Sequence, residues 1–349
     1  MHAGRRSSFP PRRTGVEKIS NVCGEKVITM KLGVFNPVLG FMPLKEAVPY
    51  LASLGVQTME MGAGGCPGKD HLNPAELLGH PDKIKEIKQL FKDNNMTICA
   101  ISSHGNPVHP DKEVAAAYHN DFMQAMQLAE ELEVDKMIGF SGCPGDSEGS
   151  KYPNWVTCPW PDDFLKILDY QWPILIEYWQ KTGEEAKKHG IKKIAFEMHP
   201  GFCVYNPETC LKLRNAVGDI LGANVDPSHL IWQGIDPVEA IRYLGDAVYH
   251  FHAKDTRIDP ANCAVNGVLD TKTYDNILTR GWSFRTVGYG SDAKMWKDII
   301  SMLRTVGYDD AVSIEHEDGL MSPREGLEKA VAFLKDIIIE ETPGAMWWA

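Results

Sequence analysis

What most limits how this chain can fold is an alternation. Eight short apolar runs occur in order: "KLGVFN" (31–36), "QTMEM" (57–61), "MTICAI" (96–101), "DKMIGF" (135–140), "IKKIAFE" (191–197), "LGANVD" (221–226), "AVYHFH" (247–252) and "DAVSIE" (310–315). Between them lie stretches such as "HPDKIKEIKQLFKDNN", "DKEVAAAYHNDFMQAMQLAEEL" and "REGLEKAVAFLKDIII". In these, apolar residues return every three or four positions, the period of a helix with one face on a core. Strands that are apolar along most of their length and alternate with helices belong to a parallel sheet covered by helices. Eight such units predict an α/β fold, a (β/α)8 TIM barrel, in preference to a doubly wound sheet. No linker breaks residues 30–340, so residues 30–349 are expected to form a single barrel domain. Two long βα loops, 141–160 after the fourth strand and 253–292 after the seventh, fall on the face where such barrels carry chemistry.

The rest of the composition excludes several classes. No apolar run among the 349 residues approaches the roughly 20 needed to cross a bilayer. The opening "MHAGRRSSFPPRRTGVEK" has paired arginines but no apolar stretch behind them, so residues 1–29 are expected to be a disordered leader and not a secretory signal. A formal charge of −11 repels phosphate and speaks against nucleic acid. Eight cysteines with no CxxC pair fit reduced thiols, and with them a cytoplasmic location.

The barrel expectation carries its own test. If the site lies at the C-terminal ends of the strands, residues anomalous in a core should collect there. Glu60, His104, Glu197, His199, Asp226, His229, His250, His252 and Glu315 do so. Strand ends five to eight carry Glu, Asp, His and Glu in turn. Residues two apart on a strand point the same way, so Glu197 shares a face with His199, and His250 with His252. Three carboxylates and an imidazole converging bare would repel one another, and a divalent cation resolves that cost. Oxygen-rich ligation with one histidine suits Mn2+ first, or Mg2+, while Co2+, Ni2+ and Zn2+ would bind too.

In that order, "FEMHPG", "NVDPSH", "HFHAKD" and "SIEHED" resemble the motifs of the xylose-isomerase-like barrel family of sugar phosphate isomerases and epimerases, the ketose 3-epimerases included. The resemblance implies a metal held by Glu197, Asp226, His252 and Glu315, with His229 a substrate contact and His250 a packed neighbour. "GNPVHP", "FSGCPGD", "YPNWVTCPWP", "FRTVGYG" and the tail "PGAMWWA" are similar to the catalytic-subunit branch of bacterial C-glycoside deglycosidases, which cleave a 3-keto glycoside from an aromatic aglycone and work with a smaller partner subunit. Two departures from the epimerase pattern stand out. His199 follows the first metal Glu by two positions, and Arg257 falls five residues after the metal His where the epimerases place an arginine six after.

The implied chemistry is abstraction of the proton α to a sugar carbonyl, with the enediolate stabilised by the metal. Return of that proton elsewhere gives isomerisation or epimerisation; departure of a β-positioned group gives a lyase. Glu197 and Glu315 are the candidate bases, and His199 the additional acid/base for elimination. Lys254 and Arg257 are placed to hold hydroxyls or an enolate oxygen, and His104 and Glu60 to contact substrate. Trp155, in a Pro-rich loop, offers flat area to a sugar face or an aglycone. The terminal Trp347 and Trp348 are expected to tuck against the barrel or into a subunit contact, which points to an oligomer.

Overall fold

The computed structural model describes residues 29–341, 344 and 346–348. The leader expected at residues 1–29 lies, but for Thr29, outside the described residues. Ten strands follow in chain order: β1 (Lys31–Phe35), β2 (Thr58–Gly65), β3 (Thr97–His104), β4 (Lys136–Gly139), β5 (Lys193–Glu197), β6 (Leu221–Val225), β7 (Val248–Ala253), β8 (Asp255–Ile258), β9 (Trp282–Arg285) and β10 (Ala311–Ile314). Eight of them close into a barrel in the order β1-β10-β7-β6-β5-β4-β3-β2, and every neighbouring pair is parallel. The eight runs named from sequence are these eight strands, and the fold is a single-domain (β/α)8 barrel.

Helices return the chain between strands, and their starts are written locally. Asp111 accepts from the backbone N–H of Glu113 to begin the helix Lys112–Glu131. Asn206 and Thr209 form a reciprocal capping box at the helix Pro207–Val217, satisfying donors that a helix start leaves open. The main core lies between the outer strand faces and this helical ring; Phe251, for example, meets Trp296 edge-on at 6.4 Å between ring centroids.

Inside the barrel the character changes. A small apolar cluster of Ala100, Ile138, Ala195 and Tyr249 sits in the interior. Strand alternation puts Ser102 and Glu197 one layer above Ala100 and Ala195. Register places Ser313 opposite His252, and Asn224 opposite both Glu197 and His250, so the upper layers are polar. A side chain as polar as Glu60 or His250 is fully buried there.

One element was not foreseen. The 253–292 segment is not wholly irregular: β8 and β9 pair antiparallel into a hairpin that leaves the barrel sheet. Trp347 and Trp348 pack edge-to-face on each other and stay 89% and 69% exposed, so within this chain they do not tuck against the barrel. The seven described cysteines are all free thiols, and no helix among the described residues is long and apolar enough to cross a membrane.

Candidate metal centre and active site

Four side chains converge at the C-terminal mouth. Glu197 ends β5, and Asp226 follows β6 as the cap of the short helix Pro227–Ile231, accepting the Ser228 N–H through Oδ1 at 2.8 Å. His252 lies on β7, and Glu315 follows β10. Each brings one ligand atom to within 4.8 Å of the others. The His252 Nδ1 atom is 3.0 Å from Glu315 Oε2 and 3.6 Å from Glu197 Oε2.

Whether this set fits a cation can be read from its leftovers. Asp226 Oδ2, His252 Nδ1 and Glu315 Oε2 are all buried, and none has a hydrogen-bond partner. Three such orphans, brought together by three different strands and the residues just after them, are costly unless something positive sits between them. The electrostatics of the bare site agree. Burial raises the Asp226 carboxyl to about 6, with nearby His229 and Lys254 only partly opposing. For Glu315 burial also pushes upward, but Lys254 and His252 outweigh it and hold the acid at about 2. His252 is driven well above the ordinary imidazole range, against burial, by Glu60 and Glu315. The cluster thus gathers positive charge from its own side chains, a demand a divalent ion would meet directly.

Around this centre lies a cavity of about 350 Å3 whose wall includes Glu197, Glu315, His104, His199 and Lys254. His104 Nε2 donates to Glu197 Oε2 at 3.1 Å. His229 is buried against the cluster, its Nε2 3.0 Å from Glu197 Oε1 and 3.3 Å from Asp226 Oδ2, aligned to donate to neither. Lys254 is 2% exposed, its Nζ 2.6 Å from Glu317, 3.4 Å from Glu315 and 4.3 Å above the Phe284 ring. Burial pulls Lys254 down, yet Glu315 and Glu317 carry it well above the usual lysine range.

His199 stands beside Glu197 as expected, but for another reason. Strand β5 stops at Glu197, so a turn carries His199, its N–H bonded to Glu197 O at 2.9 Å. Further along, Cys203 N–H bonds Gly142 O and Val204 N–H bonds Ser141 Oγ, both at 3.0 Å, tying this turn to the loop after β4. Its ring packs at 4.1 Å from His229 and 4.9 Å from Phe140. Nδ1 lies 2.6 Å from Pro200 O, which can only accept, so Nδ1 carries the proton and Nε2 keeps its lone pair. Burial, then His229, lowers this imidazole to about 3 and keeps it neutral.

Three expected substrate contacts are placed elsewhere. Glu60 is wholly buried on the barrel axis, beneath the cluster, and accepts from His250, His252, Ser102 and Ser313. Arg257 is exposed on the hairpin, since the chain leaves the barrel just before it and strand alternation no longer counts from His252. Trp155 lines a separate cavity of about 220 Å3, edge-on to Tyr205 at 5.4 Å, because its loop folds back on the helix Asp163–Lys188. His250 is packed below His252, as expected. Sequence reasoning missed Glu317, although its spacing of two from Glu315 was a visible signal. It also missed Phe284, which only the unforeseen hairpin returns to the site.

An oxygen-rich cluster with one histidine at the C-terminal mouth of a closed parallel barrel defines a class of protein. The chain belongs to the xylose isomerase-like TIM barrel family, which it matches over residues 48–337. It is 42% identical over 312 residues to the uncharacterised protein YfiH of Bacillus subtilis (strain 168), covering 88% of this chain and 99% of that one. It is also 25% identical over 232 residues to an inosose dehydratase of Clostridium perfringens, covering 64% of this chain and 72% of that one. Among solved structures, the IolI protein with a bound zinc atom superposes with a TM-score of 0.62 at 18% identity, covering 88% of this chain and 98% of that one.

Proposed function

We propose that the protein is a divalent-metal-dependent lyase that acts on a keto sugar, cleaving a 3-keto glycoside from its aglycone in the manner of a C-glycoside deglycosidase. The supporting observation is the shape of the site. The cavity at the cluster shares His316, Glu317 and Pro323 with an adjoining one of about 400 Å3 that adds Tyr274, Phe284 and Met321. Tyr274, Phe284 and Glu317 also border a third space of about 370 Å3 with Ile277 and Leu320. A free monosaccharide has no use for an aromatic extension of this size, whereas a glycoside needs somewhere to seat a flat apolar group.

An ion held by Glu197, Asp226, His252 and Glu315, with Mn2+ the best match to that donor set, supplies a Lewis acid for the sugar carbonyl and neighbouring hydroxyl when bound. In this reading the Nε2 atom of His199, which carries no proton, takes the proton α to the carbonyl and returns one to the departing aglycone, a task that requires bound substrate to raise an imidazole otherwise held at about 3. Loss of that proton and of the β-positioned group leaves an unsaturated keto sugar and the protonated aglycone, so atoms balance without a further reactant. Lys254 presents a buried ammonium at the cavity wall, where negative charge developing on a sugar oxygen would be met. A smaller partner subunit and an oligomeric assembly belong to the same proposal.

The second reading is a ketose 3-epimerase or sugar phosphate isomerase. It is favoured by Glu197 and Glu315 both lining the cavity, a pair able to exchange protons across a bound sugar. Incubating the Mn2+-loaded protein with 3-keto glycosides and, separately, free ketohexoses distinguishes the two. Mass spectrometry and NMR should find released aglycone and leave the ketohexoses unchanged; epimerised ketohexose with intact glycoside would replace the lyase by the epimerase.

A further inference from the structure

We propose that Glu60 is a positioning residue that decides which nitrogen of His252 faces the metal, and so prepares the centre before any ion arrives. The inference rests on the metal reading above and concerns what holds the ligand, not the ligand itself. Glu60 lies on β2, is wholly buried, and lines none of the cavities around the site. Its Oε2 accepts from His252 Nε2, His250 Nε2 and Ser313 Oγ, each at 2.9 Å, and its Oε1 accepts from Ser102 Oγ.

An ionised carboxylate only accepts, so each histidine must present its proton at Nε2. In the neutral ring that a metal ion requires, this leaves the His252 lone pair on Nδ1. That is the atom 3.0 Å from Glu315 Oε2 and 3.6 Å from Glu197 Oε2, buried and unpartnered. In the other tautomer an N–H would point into the carboxylates and compete with a cation for them. Phe35 stacks on the ring at 5.4 Å and 24°, limiting its rotation about the Glu60 bond. Glu60 is itself held by donors from β3, β7 and β10, so four strands jointly fix one imidazole. Carboxylate–histidine–metal relays of this kind orient the ring and strengthen its lone pair, and losing the outer carboxylate typically weakens metal binding about 10–100-fold.

The test measures Co2+ affinity by chelator competition, the visible Co2+ spectrum, and metal equivalents per chain, in wild type, Glu60→Gln and Ser313→Ala, with thermal melting of each metal-free protein. Glu60→Gln should bind Co2+ about 10–100-fold more weakly with a shifted spectrum. Ser313→Ala, which removes one donor to Oε2, should show a smaller loss in the same direction with its melting intact, and it decides the matter if Glu60→Gln does not fold. Wild-type affinity and spectrum in a folded Glu60→Gln, or in Ser313→Ala if that variant must decide, overturn the inference alone. So does a second equivalent of metal in wild type, which would place an ion rather than protons between Glu60 and its histidines. No binding by wild type removes the metal reading and this inference together.

Discussion

Residues 248–253 and 255–258 are separated only by Lys254, yet they obey different rules. Strand β7 is buried along its whole length and paired on both sides, by β10 and by β6. Its side chains alternate between the barrel axis, where His250 and His252 reach Glu60, and the helical layer, where Phe251 meets Trp296. Strand β8 pairs on one side only, antiparallel to β9, and its last two residues are exposed. A side chain held between two neighbours can fix a metal ligand, whereas a hairpin rising off the mouth can shape what enters. The floor should therefore govern metal, and the mouth substrate.

The largest effects should come from the floor. Asp226→Asn or His252→Ala should lose bound metal and with it essentially all activity, by elemental analysis and turnover. His250→Ala should keep the metal, though more weakly, and cost about 1–3 kcal/mol in denaturant unfolding, because Glu60 loses one donor but His252 keeps its own bond. Full turnover after exhaustive chelation, with metal absence confirmed, would remove the floor's assigned task altogether.

The same division explains what was legible in the sequence. All eight barrel strands were readable, because burial on both faces writes continuous apolar runs. The four converging residues were readable as a set, because Glu, Asp, His and Glu fall in turn at the ends of successive runs; singly each has an ordinary alternative, and Asp226 does cap the helix Pro227–Ile231. What failed had lost its periodic frame. Arg257 is a candidate in sequence only for lying five residues past His252, near where the epimerases place an arginine, and that distance does not show the chain leaving the barrel; the spacing of Glu60 cannot tell the floor from the wall. Trp155 sits in a loop whose course follows from contacts distant in sequence, with Gln171 donating to the carbonyls of Pro144 and Asn154 at 2.9 and 2.6 Å.

An intermediate effect should mark the boundary between the regions. His199 hangs on a turn, contributes to the wall, and has Nε2 free. His199→Asn should keep metal content and melting temperature while lowering turnover by about 10²–10⁴, the usual range for a general acid/base. Turnover within a few-fold of wild type on the best substrate would make His199 packing, and the chemistry would pass to Glu197 and Glu315.

The smallest effect is the sharpest test of the division itself. Arg257 is exposed, and among the described residues its side chain makes no ion pair or hydrogen bond; its main chain is opposite Ser283 in the hairpin. A solvated guanidinium with nothing to release contributes little to either folding or binding, and substitutions at such positions usually stay within about 0.5 kcal/mol. Arg257→Ala should therefore change kcat/KM by no more than about threefold, under 1 kcal/mol at 25 °C, with unfolding and metal affinity unmoved. A loss of tenfold or more confined to KM, with metal and melting unchanged, would mean that the hairpin folds down over bound substrate and brings Arg257 to its hydroxyls. In that event the mouth is not a static rim but a closing element. The contrast between β7 and β8 would then be one of timing, the floor set before substrate arrives and the hairpin set by it.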